Sequence, residues 1–469
     1  MIDLVALIAL GLAGLPVSAL IFRSCNAIYF APVLSATYAL IAGLIHLVLD
    51  LPIWVVWLLL VGLSTSLVLS VSSLRSSMGT SLRDALGSSK NRYSLVAFAL
   101  FQVVSWITTP APLIWDARSI WFHHASWLNG PALYYREAQF LPAGSWPDYP
   151  IAGPANMALS WQLTFTDENL WLASRVMGML FVAVIFLAGS LIIERANPKL
   201  FTVGHIVYLV LFASSAALIG NGWFNTGYQD SFQAVTVLLL FTILISMQQT
   251  NQLRLSIAAA VVFLLAANIK QEGFWFATGV LALGLFVVVV RRLFWPLLLL
   301  LAWAAIVRLV WGAISEDLGM PENSHTAEVL DRLPQLFDFD SAAWISINQI
   351  WIEAIQPRSL LLVLAVIAAA LSILLVREWK PAEKLALATA WALAPIGVLL
   401  VAVVTYALGE SHDLSWWLGT SYTRITATFD LLAFGLMLFA GAALSPWQDR
   451  PKRQQAAKPV SKKAKKRAR

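Results

Sequence analysis

The sequence predicts an all-α, multi-pass membrane protein, on the basis of its composition, its long apolar segments and its distribution of basic residues. The chain has 469 residues, of which 59% are hydrophobic and 12% are charged, and its mean hydropathy is +0.75. A water-soluble globule of this size has too little interior to bury so much apolar surface. This composition argues against a soluble enzyme, a nucleic-acid-binding protein and a disordered scaffold. With Cys25 as its single cysteine, the chain has no internal disulfide framework and no thiolate metal cluster.

Thirteen apolar segments approach the length of about 20 residues that a helix needs to cross a ~30 Å hydrocarbon layer. We therefore expect a bundle of about 13 transmembrane helices, with a boundary between two of them at Arg291 and Arg292. The predicted segments are 3–22, 28–48, 52–73, 94–110, 169–193, 201–219, 230–247, 255–268, 274–290, 293–312, 359–376, 384–405 and 424–444.

The basic residues predict how these segments are oriented. With the N-terminus outside, 13 of the 31 Lys and Arg residues fall in inner linkers and ten more lie between Arg450 and Arg469, as the positive-inside rule requires. We expect a plasma-membrane protein with an outer N-terminus and a cytoplasmic C-terminus. Residues 1–446 form the predicted transmembrane domain, and 447–469 a basic, disordered tail that lies near anionic lipid headgroups.

Most acidic residues, 20 of 25, fall outside or near the outer face in this topology. Two outer segments are long: 111–168, which is rich in Trp, Tyr and Pro, and 313–358. Both are predicted to cap a membrane-embedded cavity, and Asp116 to Leu128 is predicted to form an amphipathic helix at the interface. A function on the outer face would explain the excess of acidic residues.

Ionisable residues from five separate parts of the chain share the outer leaflet in this topology. Charged side chains at membrane depth cost a few kcal/mol each, so those that persist usually line a polar cavity. A carboxylate such as Asp116 can take a proton from an acceptor group, and arginine or lysine side chains can bind a phosphate. The residues that we expect to converge are Asp116, Arg118, Asp230, Lys270, Glu272, Arg308, Arg424 and Asp430.

Some of these residues also have structural interpretations. Asp230 and Arg424 can form an inert interhelical ion pair. His123 and His124 are adjacent, so on a helix they point about 100° apart and do not suit one metal ion; we interpret them as interface or surface residues. The outer tryptophans stack on sugar rings or, as the more common alternative, form an interfacial belt. They are Trp115, Trp121, Trp127, Trp146 and Trp161.

The ordered set of short motifs resembles the GT-C superfamily of polyprenyl-phosphate-dependent glycosyltransferases, and within it the bacterial relatives of protein mannosyltransferases and aminoarabinose transferases. The resemblance covers about residues 94 to 444, and the order of the motifs carries it. The motifs are Trp115-Asp116-Ala117-Arg118-Ser119-Ile120-Trp121, Tyr149-Pro150, Gly227-Tyr228-Gln229-Asp230, Lys270-Gln271-Glu272-Gly273 and Ser421-Tyr422-Thr423-Arg424.

This resemblance implies an inverting transfer of a sugar from a polyprenyl-phosphate carrier to a glycan, lipid or protein acceptor on the outer face. Asp116 matches the catalytic base of the family, and Asp230 matches its second acid. Lys270 and Arg424 match residues that bind the lipid phosphate; Arg118 is added to them because of its charge. The remaining residues are expected to contact the substrate: Glu272, Tyr228, Trp115, Trp121 and Tyr149.

Several alternatives stay open at this point. We expect a site without a metal or another cofactor, although a divalent cation shared by Asp116 and Asp230 is an alternative. A transporter or flippase of a lipid-linked glycan would use the same charges as a translocation pathway. A glycan polymerase or ligase is a further alternative, but it would favour arginine and histidine in 313–358, where acidic residues predominate.

Overall fold

The protein is a helical bundle, and ten helices in the part of the chain that the structure describes are long and apolar enough to cross a membrane. The computed structural model describes residues 2–109, 120–137, 149–219, 229–319, 331–376, 379–408 and 414–447. This part of the chain is 86% helical and contains no strand. The prediction of an all-α multi-pass membrane protein is therefore confirmed.

The α-helices are numbered here in chain order. Their bounds are α1 Ile2–Leu12, α2 Leu15–Ile21, α3 Cys25–Leu49, α4 Ile53–Ser70, α5 Ser72–Gly87, α6 Ser89–Ile107, α7 Phe122–Asn129, α8 Ala132–Glu137, α9 Ala152–Thr164, α10 Leu170–Ala196, α11 Thr202–Ile219, α12 Gln229–Ser246, α13 Gln252–Ala267, α14 Gln271–Val290, α15 Phe294–Asp317, α16 Ala342–Ile350, α17 Gln356–Leu374, α18 Pro381–Leu408 and α19 Leu414–Leu444.

Each predicted apolar segment corresponds to a helix, but the count of 13 spans is not confirmed. Ten helices meet the length and hydropathy of a span, with α1 and α2 counted together. Helix α13 is too short, and the part of α17 whose side chains are described, Val363–Leu374, is an apolar helix shorter than a span. Helix α6 begins with the polar sequence Ser89-Lys90-Asn91-Arg92 and is less apolar than the ten. The predicted boundary at Arg291 and Arg292 does separate two helices, α14 and α15.

Helices α10 and α12 form the centre of the bundle. In each of them 94% of the apolar window is buried, whereas in α4 and α15 only 22% is buried. Glycines on the neighbouring helices let these helices approach α12 closely. A Cβ at Gly284 of α14 would lie 2.6 Å from the Leu244 Cβ, and one at Gly435 of α19 would lie 2.9 Å from a methyl carbon of Leu238. Packing in the centre therefore depends on residues without a side chain.

One end of the bundle is held together by arginine side chains. Arg195 of α10 and Arg291, which follows α14, both donate to the same Oε1 of Glu383 in α18, Arg291 at 2.8 Å. Arg291 Nη1 also donates to the carbonyls of Ile245 and Met247 at the end of α12, at 2.5 and 2.6 Å. Burial, with the positive charge of Arg195, lowers the pKa of Arg291 to about 10, although Glu383 opposes the shift. We call this end the predicted inner end and the opposite one the predicted outer end.

We expect Gly284→Val to lower the thermal stability of the detergent-solubilised protein. The added side chain would overlap Leu244, and overpacking of this kind costs about 1–3 kcal/mol. Gly279→Val is the matched control, because Gly279 lies on the same helix with nothing within 4 Å of its Cβ position. Thermal unfolding of the two variants measures the difference. Equal unfolding temperatures would contradict the close packing of α14 on α12.

Candidate functional site

Three helix N-termini meet at the predicted outer end of the bundle. The N–H of Ala152, the first residue of α9, donates to the carbonyl of Asn268 after α13 at 2.8 Å. A Cβ at Gly153 would lie 1.9 Å from the side-chain oxygen of Gln229, the first residue of α12. Lys270, which precedes α14, donates to Asp230 of α12 at 2.9 Å. The starts of α9, α12 and α14 therefore share one location, which we call the helix junction.

The helix junction lies inside the bundle because α9 begins there. Asn156 of α9 donates through Nδ2 to the carbonyl of Ala36 in α3 at 3.3 Å, and Gly43 of α3 faces Ala155 and Ile151. At 1.5 Å per residue, Ala36 is about 20 Å from the end of α3 and Gly43 about 9 Å. The other end of α9 reaches the start of α4, where the Trp54 N–H donates to Gln162 at 3.0 Å. Helix α9 is thus a re-entrant segment within the predicted outer loop 111–168.

The local sequence places a charged residue at two of these N-termini. Asp230 lies in the first turn of α12 and Glu272 in the first turn of α14. Carboxylates at these positions are favourable, because the N-terminus of a helix carries a partial positive charge. Lys270 is the N-cap of α14 in an extended conformation. Its ammonium group has only donors and no acceptor for the N–H groups of the helix, and it donates to Asp230.

Asp230 and Lys270 form a largely buried ion pair. The distance between Lys270 Nζ and Asp230 Oδ1 is 2.9 Å, and each side chain is 14% exposed. An ion pair of this kind must offset the cost of removing two charges from water, and removal of one partner leaves the other charge uncompensated. The predicted proximity of Asp230 and Lys270 is therefore observed, and Glu272 follows Lys270 by two residues in the first turn of α14. The alternative pair of Asp230 with Arg424 stays a prediction.

Two buried oxygen atoms near this pair have no hydrogen-bond partner in the described part of the chain: Glu272 Oε2 and Gln233 Oε1. Gln233 is 4% exposed and lies one turn after Gln229 on the same face of α12. Its Cδ would be 3.5 Å from a Cβ at Gly273, so it packs against the first turn of α14. Buried polar atoms usually have a partner. Gln233 was not predicted as a site residue, although a glutamine four residues after Gln229 in an apolar helix was a usable signal.

Two of the predicted aromatic residues lie together beside the start of α9. The rings of Trp121 and Tyr149 are 5.4 Å apart, and Tyr149 precedes α9 by only a few residues. Trp121 is 2% exposed and Trp161 of α9 is fully buried, so neither belongs to an interfacial belt. His124 is also buried rather than at the surface, and it forms a 2.7 Å hydrogen bond with the Tyr135 hydroxyl.

Acidic residues fix the α7–α8 hairpin over this region. Asp50 Oδ1, just after α3, accepts from the N–H of Ala132 at the start of α8 at 2.6 Å. Glu168 accepts from Ser126 at 2.9 Å, and Asp167 accepts from Asn129 at 3.2 Å. Part of the acidic excess at the predicted outer end therefore has a structural role, because it anchors this hairpin.

Other predicted site residues lie outside the described part of the chain. They are Trp115, Asp116, Arg118 and Tyr228. Arg424 is within α19, but its side chain is outside the described part as well. Among the described residues there is no group of three or more His, Cys, Asp or Glu side chains that could hold a metal ion. The alternative of a cation between Asp116 and Asp230 stays a prediction.

Comparison with known proteins gives no family assignment. The chain matches no protein-family model, no curated protein and no solved structure. Any functional inference therefore depends on the chemistry of the helix junction.

We expect Asp230→Asn and Lys270→Gln each to lower the free energy of unfolding, because each leaves one buried charge without its partner. The double variant Asp230→Asn/Lys270→Gln removes both charges, so it should lose less than the sum of the two single losses. A coupling of about 1–3 kcal/mol is typical of residues in direct contact. Thermal or denaturant unfolding of all four proteins measures this coupling, and strictly additive losses would rule out an energetic interaction between the two side chains.

Proposed function

We propose that the protein is a GT-C-type glycosyltransferase that takes a sugar from a polyprenyl-phosphate donor at the predicted outer face of the plasma membrane. One observation supports the proposal above all. The Asp230–Lys270 pair lies at a junction of three helix N-termini inside an apolar bundle. At this place a charged headgroup can accept hydrogen bonds, and an isoprenoid chain can pack against the surrounding lipid.

The helix junction suits a phosphate for two reasons. The partial positive charge and the N–H groups of a helix N-terminus favour an anion, and neither α9 nor α14 has a side-chain cap at its start; in α9 the N–H of Ala152 already donates to the Asn268 carbonyl. Lys270 provides a full positive charge at the same place, where it interacts with Asp230. In the proposed reaction Lys270, together with Arg424 and Arg118, stabilises the departing phosphate.

The proposed transfer is a single inverting displacement. The acceptor oxygen bonds to the anomeric carbon as the bond from that carbon to the phosphate oxygen breaks. The acceptor proton moves to the Asp116 carboxylate, and the bonding electrons leave with the polyprenyl phosphate. No covalent glycosyl intermediate forms, so one base suffices, in contrast to the two-carboxylate scheme of glycosidases.

We assign recognition of the sugar to protein oxygen atoms that accept hydrogen bonds and to aromatic side chains. Glu272 Oε2 and Gln233 Oε1, which have no hydrogen-bond partner among the described residues, suit sugar hydroxyl groups, which donate hydrogen bonds. The partly exposed Tyr149 ring provides an aromatic face with the buried Trp121 ring packed beside it, and Trp115 and Tyr228 are proposed to extend it. The acceptor substrate is a glycan, lipid or protein outside the membrane.

The purified protein should transfer labelled sugar from a panel of polyprenyl-phosphate hexoses and pentoses to acceptors in a cell-envelope extract. We expect Asp116→Asn and Lys270→Gln to reduce the transfer rate at least about 100-fold, the usual scale for a general base or a main electrostatic contact. Asp167→Asn is the matched control, because Asp167 is an outer carboxylate that contacts only Asn129 in the described contacts.

Two results would contradict the proposal. Full transfer by a correctly folded Asp116→Asn variant would remove Asp116 from the mechanism. Movement of intact lipid-linked sugar across proteoliposomes, with no transfer by the wild type, would instead favour the flippase.

A further inference from the structure

Arg175 is a charged residue within a transmembrane helix that the site above does not use. It lies in α10, about 8 Å from the start of that helix at Leu170, and is partly buried. In the described part of the chain it forms no ion pair and no hydrogen bond, whereas Lys270 is paired with Asp230 and Arg195 with Glu383. Charged residues at membrane depth are usually paired, so Arg175 needs a different explanation.

Two tryptophans enclose the Arg175 guanidinium group. Its Cζ lies 5.2 Å from the ring centroid of Trp106 in α6 and 5.9 Å from that of Trp171 in α10. Aromatic rings interact with the faces of a guanidinium, while its five N–H donors all lie in the plane. The Nε atom is buried and has no partner among the described residues. The two rings provide no conventional hydrogen-bond acceptor, so they leave the N–H donors of Arg175 for another molecule.

The Arg175 side chain is on the lipid-facing side of α10. Trp171, Arg175 and Met179 follow one another at intervals of four residues and share one face, and Trp171 is 43% exposed. The residues between Trp171 and Arg175 are buried. Helix α6 borders this face and exposes Val103 and Ile107, which are 48% and 72% exposed. An anion that reaches Arg175 therefore comes from the leaflet at the predicted outer end.

We propose that Arg175 binds the phosphate of a membrane lipid, with Trp106 and Trp171 as the walls of the site. A phosphate presents several oxygens that can accept two N–H donors of a guanidinium together, and Arg175 has no such partner among the described residues. Phosphate headgroups are at this depth in every phospholipid leaflet, and the lipid chains lie along the exposed face of α6. The lipid is either a bilayer phospholipid or a polyprenyl phosphate, because the recognised chemistry is the same.

The test compares lipids with and without a phosphate. Delipidated full-length protein is titrated with phosphatidic acid or diacylglycerol, and separately with undecaprenyl phosphate or undecaprenol, and its thermal unfolding is recorded. We expect the phosphate-bearing member of at least one pair to stabilise the wild type more than its phosphate-free partner. Arg175→Gln should weaken the apparent affinity for that lipid about ten-fold or more, the loss expected for a hydrogen bond to a charged group.

Two further variants make the result specific. Arg254→Gln removes one exposed arginine at the predicted inner end and should bind the lipid like the wild type. Arg175→Lys keeps the charge but loses the planar donors, so it should bind with intermediate affinity, and it replaces Arg175→Gln if that variant does not fold. Preference for undecaprenyl phosphate alone assigns the site to an isoprenoid lipid, and a response to both pairs assigns it to lipid phosphate in general.

The proposal is overturned if phosphate gives no added stabilisation in either pair, or if the Arg175 variants respond like the wild type. The measurement is of binding, so it is independent of sugar transfer. Failure of the glycosyltransferase assay would leave this result unchanged.

Discussion

The structure depends on the absence of water inside a lipid bilayer, because every buried polar group must then find its partner within the protein. A continuous helix solves this for its own backbone, but each helix N-terminus leaves N–H groups unsatisfied. The bundle brings the starts of α9, α12 and α14 together instead of separating them. Asn268 provides a carbonyl for Ala152, and Asp230 and Glu272 provide negative charge in the first turns of two helices. The candidate site is therefore a consequence of where these helices begin.

The need of buried polar groups for partners within the protein distinguishes two clusters of charged residues. At the predicted inner end, Arg195, Arg291 and Glu383 join α10, α14 and α18, and the carbonyls at the end of α12 take up further donors of Arg291. This cluster has its hydrogen bonds directed at the ends of helices, as expected of a structural clamp. At the helix junction, by contrast, buried oxygens of Glu272 and Gln233 have no partner among the described residues. Such unsatisfied groups are costly to keep. The inner cluster also contains one, Arg195 Nε, but that atom is a donor, whereas those of the helix junction are acceptors, which suit the hydroxyl groups of a sugar.

The transmembrane segments were predictable because apolar length is a strong signal that each segment carries by itself. The sequence also predicted that Asp230, Lys270 and Glu272 lie at the same end of the bundle. Successive transmembrane helices cross in opposite directions, so the order of the segments along the chain gives the end at which each residue lies. The pair of Asp230 with Lys270 was not predicted, because it depends on how α12 and α14 pack against each other. The alternative pair of Asp230 with Arg424 stays a prediction, since the Arg424 side chain lies outside the described part of the chain. Helix α9 was missed as well, because its 13 residues are too few to span a membrane and its Pro and Trp content resembles a surface loop. Trp121, Trp161 and His124 are buried by the packing of that helix against its neighbours. Their burial could not be predicted from segments considered one at a time.

The charge balance of the helix junction has a consequence for the proposed donor. Among the described residues, each helix N-terminus counts as about half a positive charge, so three of them with Lys270 nearly balance Asp230 and Glu272 and leave about half a unit of positive charge. This balance stabilises the junction inside the bundle, because a buried charge is costly unless an opposite charge compensates it. In the proposed reaction, Arg118 and Arg424 would therefore supply most of the net positive charge that holds the donor phosphate, while Lys270 contributes a hydrogen-bond donor that Asp230 keeps in place.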